Sequence, residues 1–287
     1  MEVLDDFSTG EISNLPPGSN LLTVHEGSIT DKSFVKAIAK GCEAVFHQAA
    51  RVSVTRSIED PLGTNNVNVN GTLNLLEAAR EYDIETFVFA SSSSVYGETE
   101  QLPKEESMAP QPVSPYAVSK LAAETYCKVY ASVYGLKTVS LRYFNVYGPR
   151  QKPGPYSGVI PAFVKQALAK DPPIINGDGT QTRDFTYVKD VVKANLLCLE
   201  GLLKGGEVFN VGSHSSISIN DLARLVLRLT GSEGIEPTHG PPRPGDVQHS
   251  YADITKISSV LGYRPDYTIE SGLAEVIEWW KLSGGHS

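Results

Sequence analysis

Thr86-Phe87-Val88-Phe89-Ala90-Ser91-Ser92-Ser93-Ser94-Val95-Tyr96-Gly97 is the stretch on which the reading of the chain turns. It opens on a short apolar, β-rich run, which predicts a buried parallel strand. The serines then fall at the strand's C-terminal end, where open α/β sheets place their ligands. Downstream, Tyr116-Ala117-Val118-Ser119-Lys120 opens a helix. Ser114-Pro115 supplies a cap and a first-turn proline, and Leu121, Ala122, Ala123 and Glu124 are good helix formers. Tyr116 and Lys120 are four apart, so their side chains share one face. An ammonium beside a phenol favours the phenolate, which predicts a tyrosine pKa drawn towards neutrality. A serine hydroxyl at a strand end and a Tyr–Lys pair on a helix can together remove a proton from an alcohol.

The bulk properties narrow the partners. The chain has 287 residues, of which 40% are hydrophobic and 20% charged, a composition expected of a globular enzyme of one large or two coupled domains. A net charge of −8 argues against nucleic acid, and an anionic substrate would need local arginines. Cys42, Cys127 and Cys198 are far apart and odd in number, which predicts reduced thiols and a cytoplasmic protein. The six histidines show no metal-ligand spacing, and no apolar run is long enough for a membrane helix.

Ser92, Tyr116 and Lys120, with Leu141-Arg142-Tyr143-Phe144-Asn145-Val146-Tyr147-Gly148-Pro149-Arg150 after them, resemble the Ser–Tyr–Lys set of the extended short-chain dehydrogenases/reductases. The whole chain is similar to the sugar-nucleotide epimerases of that superfamily, the NAD-dependent epimerase/dehydratase family. The resemblance implies an α/β fold, a doubly wound parallel sheet with a smaller C-terminal substrate lobe. It implies an NAD-binding domain over 1–150, a sugar-nucleotide lobe over 151–287, and a partial return of 180–212 to the first domain. It also implies bound NAD, a UDP-sugar substrate and a homodimer formed through the Tyr116 helix.

Residue by residue, the resemblance makes Asp5 the acid that binds the adenosine ribose, in a Leu-Asp-Asn setting where Asp6 replaces the Asn. Gly27-Ser28, followed by Ile29, stands at a strand exit where the family has Gly-Asp, which predicts an altered adenine contact at Ser28 and Ile29. Gln48, Ala49 and Ala50 end the next strand, and the small alanines let a cofactor approach the backbone. His47, on that strand, reads as a core histidine. Asn68, Ala90 and Tyr143 complete the cofactor set with Tyr116 and Lys120. For the sugar nucleotide the resemblance implies Ser92, Tyr116, Asn145, Val159, Arg183, Arg243, Asp246 and Ser250. The two arginines suit phosphate oxygens, and Asp246 would orient the ribose. Ser250 is small where a bulky Tyr restricts family members to UDP-glucose and UDP-galactose.

The family has a strand, a glycine-rich turn and a helix before the position of Glu2, and no G-x-x-G-x-x-G occurs in this sequence. That turn cradles the pyrophosphate, and its strand lies mid-sheet. The expectation is a functional protein that begins earlier, with weak NAD binding and two unpaired backbone ladders in the chain as given. The function implied is a UDP-sugar 4-epimerase, acting on UDP-glucose/UDP-galactose and the N-acetylated pair. The alternatives are a UDP-glucuronate epimerase, another sugar-nucleotide dehydratase or decarboxylase, and a non-catalytic sugar-nucleotide binder. Dehydration would need carboxylates where Ser92-Ser93 stand.

Overall fold

The computed structural model describes residues 1–151, 154, 158–242 and 247–283. The chain forms two compact units. The first comprises Met1–Val95, Ser114–Leu141 and Cys198–Val208; the second comprises Tyr96–Val113, Arg142–Leu197 and Phe209–Ser287. They interleave along the chain, so no single division falls at residue 150. Cys198–Val208 belongs to the first unit.

In the first unit, β1 (Glu2–Asp5) and β2 (Thr23–Glu26) pair in parallel, with Asp5 opposite Glu26. The Asp31 side chain accepts from Ser33 and Phe34 N–H and starts α1 (Lys32–Ala39). β3 (Ala44–His47) runs parallel to β4 (Thr86–Ser92), the strand of the opening stretch. Between them α2 (Val54–Glu59), α3 (Pro61–Asn65), a π-helical turn (Asn66–Gly71) and α4 (Thr72–Glu81) follow in succession. Gly71 packs closely there: a Cβ would stand 2.5 Å from the Ile29 side chain, which would have to shift. α5 (Pro115–Tyr134) starts at Ser114, whose side chain accepts from Ala117 N–H, and stops at Gly135 in the left-handed conformation (φ 72°). β5 (Thr138–Tyr143) follows, its last two residues assigned to the second unit. Ile29, Leu76, Ala79, Phe87, Phe89, Ala123 and Cys127 fill this unit's core.

The second unit carries β6 (Val146–Tyr147), α6 (Val159–Leu168), β7 (Ile174–Asn176), β8 (Thr182–Arg183), β9 (Thr186–Tyr187) and α7 (Val188–Glu200), whose last turn passes into the first unit. β10 (Glu207–Val211), β11 (Ile217–Ser218), α8 (Ile219–Leu229), β12 (Thr238–Gly240), β13 (His249–Ser250), α9 (Thr255–Leu261) and α10 (Ile269–Leu282) complete the order. The apolar face of α8, with Leu222, Val226 and Leu227, packs with Phe163, Val164, Leu273 and Ile277. β8 lies between β11 and β13, and Ser250 is in parallel register with Arg183.

The main sheet has the order β10-β5-β4-β3, and β1–β2 form a separate two-stranded sheet. The α/β class and parallel pairing agree with the sequence reading, as does the entry of Glu207–Val211 into the main sheet. No helix among the described residues is long and apolar enough to cross a membrane.

Candidate functional site

In the first unit the two motifs come together. β4 ends in Ser91 and Ser92, and α5 begins one residue before Tyr116. The Ser92 hydroxyl hydrogen-bonds the Tyr116 side chain. It also accepts from the Ser94 N–H at 3.2 Å and the Ser94 hydroxyl at 2.9 Å. Lys120, one turn along α5, donates from Nζ to the Ala90 carbonyl at 2.8 Å and lies 5.0 Å from the centre of the Phe89 ring. Tyr116 and Lys120 are both buried.

The electrostatics correct one expectation. Burial raises the Tyr116 pKa, and only the Ser92 hydrogen bond works against it. The sequence reading had the neighbouring ammonium lowering it. Here that ammonium is turned to the Ala90 carbonyl, and burial pushes its own pKa down to about 8. The desolvation cost falls on the charged form of both groups.

A second layer fixes Tyr116. Its N–H donates to the Ser57 hydroxyl at 3.0 Å, which donates onward to the Val54 carbonyl at 2.6 Å. Its carbonyl accepts from the Ser119 hydroxyl at 2.7 Å. Ser119 in turn accepts from Asn68 Nδ2 at 2.9 Å. Asn68 also bonds the Arg51 backbone in both directions, accepting at 2.8 Å and donating at 3.1 Å. It can do so because it lies on the π-helical turn, a local irregularity that frequently marks functional sites. The Thr72 hydroxyl donates to the Asn68 carbonyl at 2.6 Å, so it accepts from His47 Nε2 at 2.8 Å. His47 is 3% exposed and stays neutral, its pKa lowered to about 3 by burial and by the Lys120 charge. It is the core histidine the sequence suggested. Ser57, Ser119 and Thr72 escaped the sequence reading, and no local signal marks them beyond their small polar type.

The other cofactor candidates sit at strand ends of the same unit. Asp5 ends β1 and caps the turn after it, accepting from the Phe7 N–H at 2.7 Å; Asp6 accepts from the Ser8 N–H at 2.9 Å. Gly10 lies against the Asp5 carboxylate, and a Cβ there would come within 3.3 Å of both oxygens. The Ser28 hydroxyl bonds the Thr30 hydroxyl at 2.9 Å, Ile29 is buried, and the Ile29 carbonyl accepts from Asn74 Nδ2 at 3.0 Å. Gln48 and Ala49 are exposed and Ala50 half-buried just past β3. An acid with a bare glycine beside it, small residues at a strand exit and an inward ammonium fit the two ends of a dinucleotide. Tyr143 belongs to the second unit, where its hydroxyl is bonded to Asn195 at 2.8–3.0 Å.

The second unit holds a cavity of about 280 Å³ lined by Asn145, Val159 and Arg183 together with Asn176, Gln181, Phe185 and Ile160. Three of the predicted substrate residues therefore meet. Asn145 Nδ2 donates to the Asp184 carbonyl at 3.1 Å, and Arg183 Nη1 donates to the carbonyls of Thr182 at 2.8 Å and Gln248 at 3.2 Å. Asp184 is fully buried, and burial raises its carboxyl pKa although Ser213 and Ala252 donate to it. Ser250 is half-buried beside Arg183 through strand pairing and does not line the cavity. Gln181 and Asn176 were missed, though Asn176 introduces the glycine turn before Arg183 and Gln181 bonds its carbonyl at 2.9 Å. Arg243 and Asp246 lie outside the described residues.

The model of the family described as "NAD dependent epimerase/dehydratase family" matches residues 4–212. UDP-glucose 4-epimerase of Mycolicibacterium smegmatis is 38% identical over 282 residues, 97% of this chain and 90% of that protein. The crystal structure of UDP-glucose 4-epimerase with UDP-glucose from Thermotoga maritima superposes with a TM-score of 0.93 at 38% identity, covering 98% of this chain and 91% of that one. UDP-N-acetylglucosamine 4-epimerase from Methanobrevibacter ruminantium, in complex with UDP-N-acetylmuramic acid, gives 0.94 at 38% identity, over 98% and 90%.

Proposed function

Since the chain belongs to the NAD dependent epimerase/dehydratase family, we propose that it is a UDP-sugar 4-epimerase working by transient oxidation at C4. The observation that carries this reading is the Ser92–Tyr116 hydroxyl pair at the end of β4, with Lys120 one turn along the same helix. Tyr116 takes the proton of the sugar 4-hydroxyl, and Ser92 holds that oxygen in both half-reactions. When bound, NAD supplies the acceptor for the C4 hydrogen as hydride and gives it back. The 4-keto sugar turns over about its diphosphate linkage and is reduced on its other face. Ser92 and Ser93 offer hydroxyls where a dehydratase needs carboxylates.

Lys120 binds the nicotinamide ribose and favours the phenolate once the ammonium is drawn from Ala90. Asp5, Asp6, Ser28 and Ile29 take the adenosine end of NAD. Gln48, Ala49, Ala50, Asn68 and Ala90 complete its binding. The cavity residues Asn145, Val159 and Arg183 hold the uridine diphosphate, with Arg243 on the phosphates and Asp246 on the ribose. The small Ser250 supports acceptance of 2-acetamido sugars alongside UDP-glucose and UDP-galactose.

The working form in this reading is a homodimer. On the outer face of α5, Val118, Tyr126, Val129 and Val133 are 51%, 39%, 42% and 63% exposed, an apolar stripe suited to a second copy. Cys42, Cys127 and Cys198, none of them in a disulfide, favour the cytoplasm. The test of the function is to incubate the protein, loaded with NAD, with UDP-glucose or UDP-N-acetylglucosamine. Formation of the galacto epimers is expected. Bound NAD without interconversion of either pair would overturn the reading.

A further inference from the structure

Glu124 lies on α5 at the same four-residue spacing that joins Tyr116 to Lys120, so the three share one stripe of the helix. It is fully buried, which for a carboxylate costs several kcal/mol unless partners compensate. Two are present. The Ser91 hydroxyl donates to Oε2 at 2.8 Å, and Lys128 Nζ lies 3.2 Å from Oε1. Ser91 is itself only 3% exposed.

These contacts form a register between helix and strand. Tyr116 bonds Ser92, Lys120 bonds the Ala90 carbonyl and Glu124 bonds the Ser91 side chain. Side chains alternate along a strand, so Ser91 faces away from Ala90 and Ser92. The Lys120 bond reaches only a main-chain carbonyl and so sets no side-chain direction at the strand end. The Ser91–Glu124 bond anchors the side chain next to Ser92, and through the shared backbone it sets where the Ser92 hydroxyl points.

We propose that Glu124 is a positioning residue for the reaction, acting through Ser91 to aim Ser92 at the Tyr116 phenol. The proposal rests on the epimerase reading for its rate consequence but not for its geometry. Its energetic basis is orientation: a misplacement of about 1 Å between reacting groups costs about 10²-fold in rate. Glu124→Gln keeps the length and the acceptor oxygen for Ser91. Glu124→Leu removes the acceptor. Ser91→Ala breaks the same bond from the strand side and leaves the Glu124–Lys128 pair intact.

The experiment has two readouts on the full chain. In the NAD-loaded protein, kcat should fall about 10²-fold in Glu124→Leu and in Ser91→Ala with KM nearly unchanged, and Glu124→Gln should recover most of it. In protein labelled with 3-fluorotyrosine, the ¹⁹F resonance missing from Tyr116→Phe identifies Tyr116. It should move in Ser91→Ala and Glu124→Leu and return in Glu124→Gln. A merely structural role would lower the unfolding midpoint yet leave kcat per folded molecule and the Tyr116 resonance in place. That result in Ser91→Ala, which keeps the Glu124–Lys128 pair, overturns the proposal. Absence of turnover in the unaltered protein would instead count against the epimerase reading, and the ¹⁹F result would still decide the role of Glu124.

Discussion

Replacing Lys120 by methionine separates what the site costs from what it does. Burial takes the Lys120 pKa from its ordinary 10.5 to about 8. The unfolded chain keeps this proton up to about pH 10.4, whereas the folded chain gives it up near pH 8. Between those values a falling pH favours the unfolded chain; below pH 8 both forms are protonated and the penalty is constant. At about 1.36 kcal/mol per pH unit, the window corresponds to about 3 kcal/mol against folding at neutral pH. Lys120→Met removes that penalty and also the bond to the Ala90 carbonyl, whose loss costs about 1–3 kcal/mol. The net change at pH 7 is therefore small, but its pH dependence is not. Urea unfolding at pH 7.5, 8.5 and 9.5 should show the unaltered protein gaining on the variant by about 1.4 kcal/mol per unit above pH 8. Epimerisation should be lost in the variant. Parallel stability curves would refute the claim that a desolvated ammonium is built into the site.

Other outcomes follow from the same geometry. Tyr116→Phe should lower kcat by about 10²–10⁴-fold, as loss of a general base does, while calorimetry finds UDP still bound; unchanged turnover would remove Tyr116 from the mechanism. Ser250→Tyr should depress kcat/KM for the N-acetylated sugars by roughly 5- to 150-fold relative to UDP-glucose, the rate equivalent of an overpacking cost of about 1–3 kcal/mol, and an equal ratio in both proteins would acquit Ser250. His47 is neutral when folded, with a pKa of about 3. The unfolded chain takes that proton first as pH falls below about 6.5, so folding stability is lost progressively from there towards pH 3. His47→Gln should abolish this component, worth about 2 kcal/mol between pH 6.5 and pH 5 in paired urea titrations; identical slopes would contradict it.

The chemistry of the first unit was legible because it lies in short local patterns. An apolar strand ending in Ser92 and a capped helix carrying Tyr116 and Lys120 at helical spacing announce themselves, and the structure joins them. The convergence of Asn145, Val159 and Arg183 on one cavity was likewise foreshadowed, though only through resemblance. What escaped depends on contacts distant in sequence. The π-helical turn that presents Asn68 to Ser119 has no signature in Asn-Val-Asn-Val-Asn-Gly, since the same residues serve an ordinary helix. The direction of the Tyr116 pKa was misjudged because spacing shows that Lys120 is near, but not that its ammonium turns to Ala90 or how deeply both are buried. The interleaving of the two units is a matter of three-dimensional packing, with Cys198–Val208 assigned by its neighbours and not by its composition.

The central claim, oxidation and reduction at one carbon with the hydrogen never leaving the protein, is tested most directly by isotope. UDP-glucose carrying deuterium at C4 is incubated with the NAD-loaded protein in ordinary water, and the UDP-galactose formed is examined by mass spectrometry and NMR. The account predicts that the deuterium stays at C4 of the product and that no solvent hydrogen enters there. Loss of the label to water, or its appearance at another carbon, would contradict it.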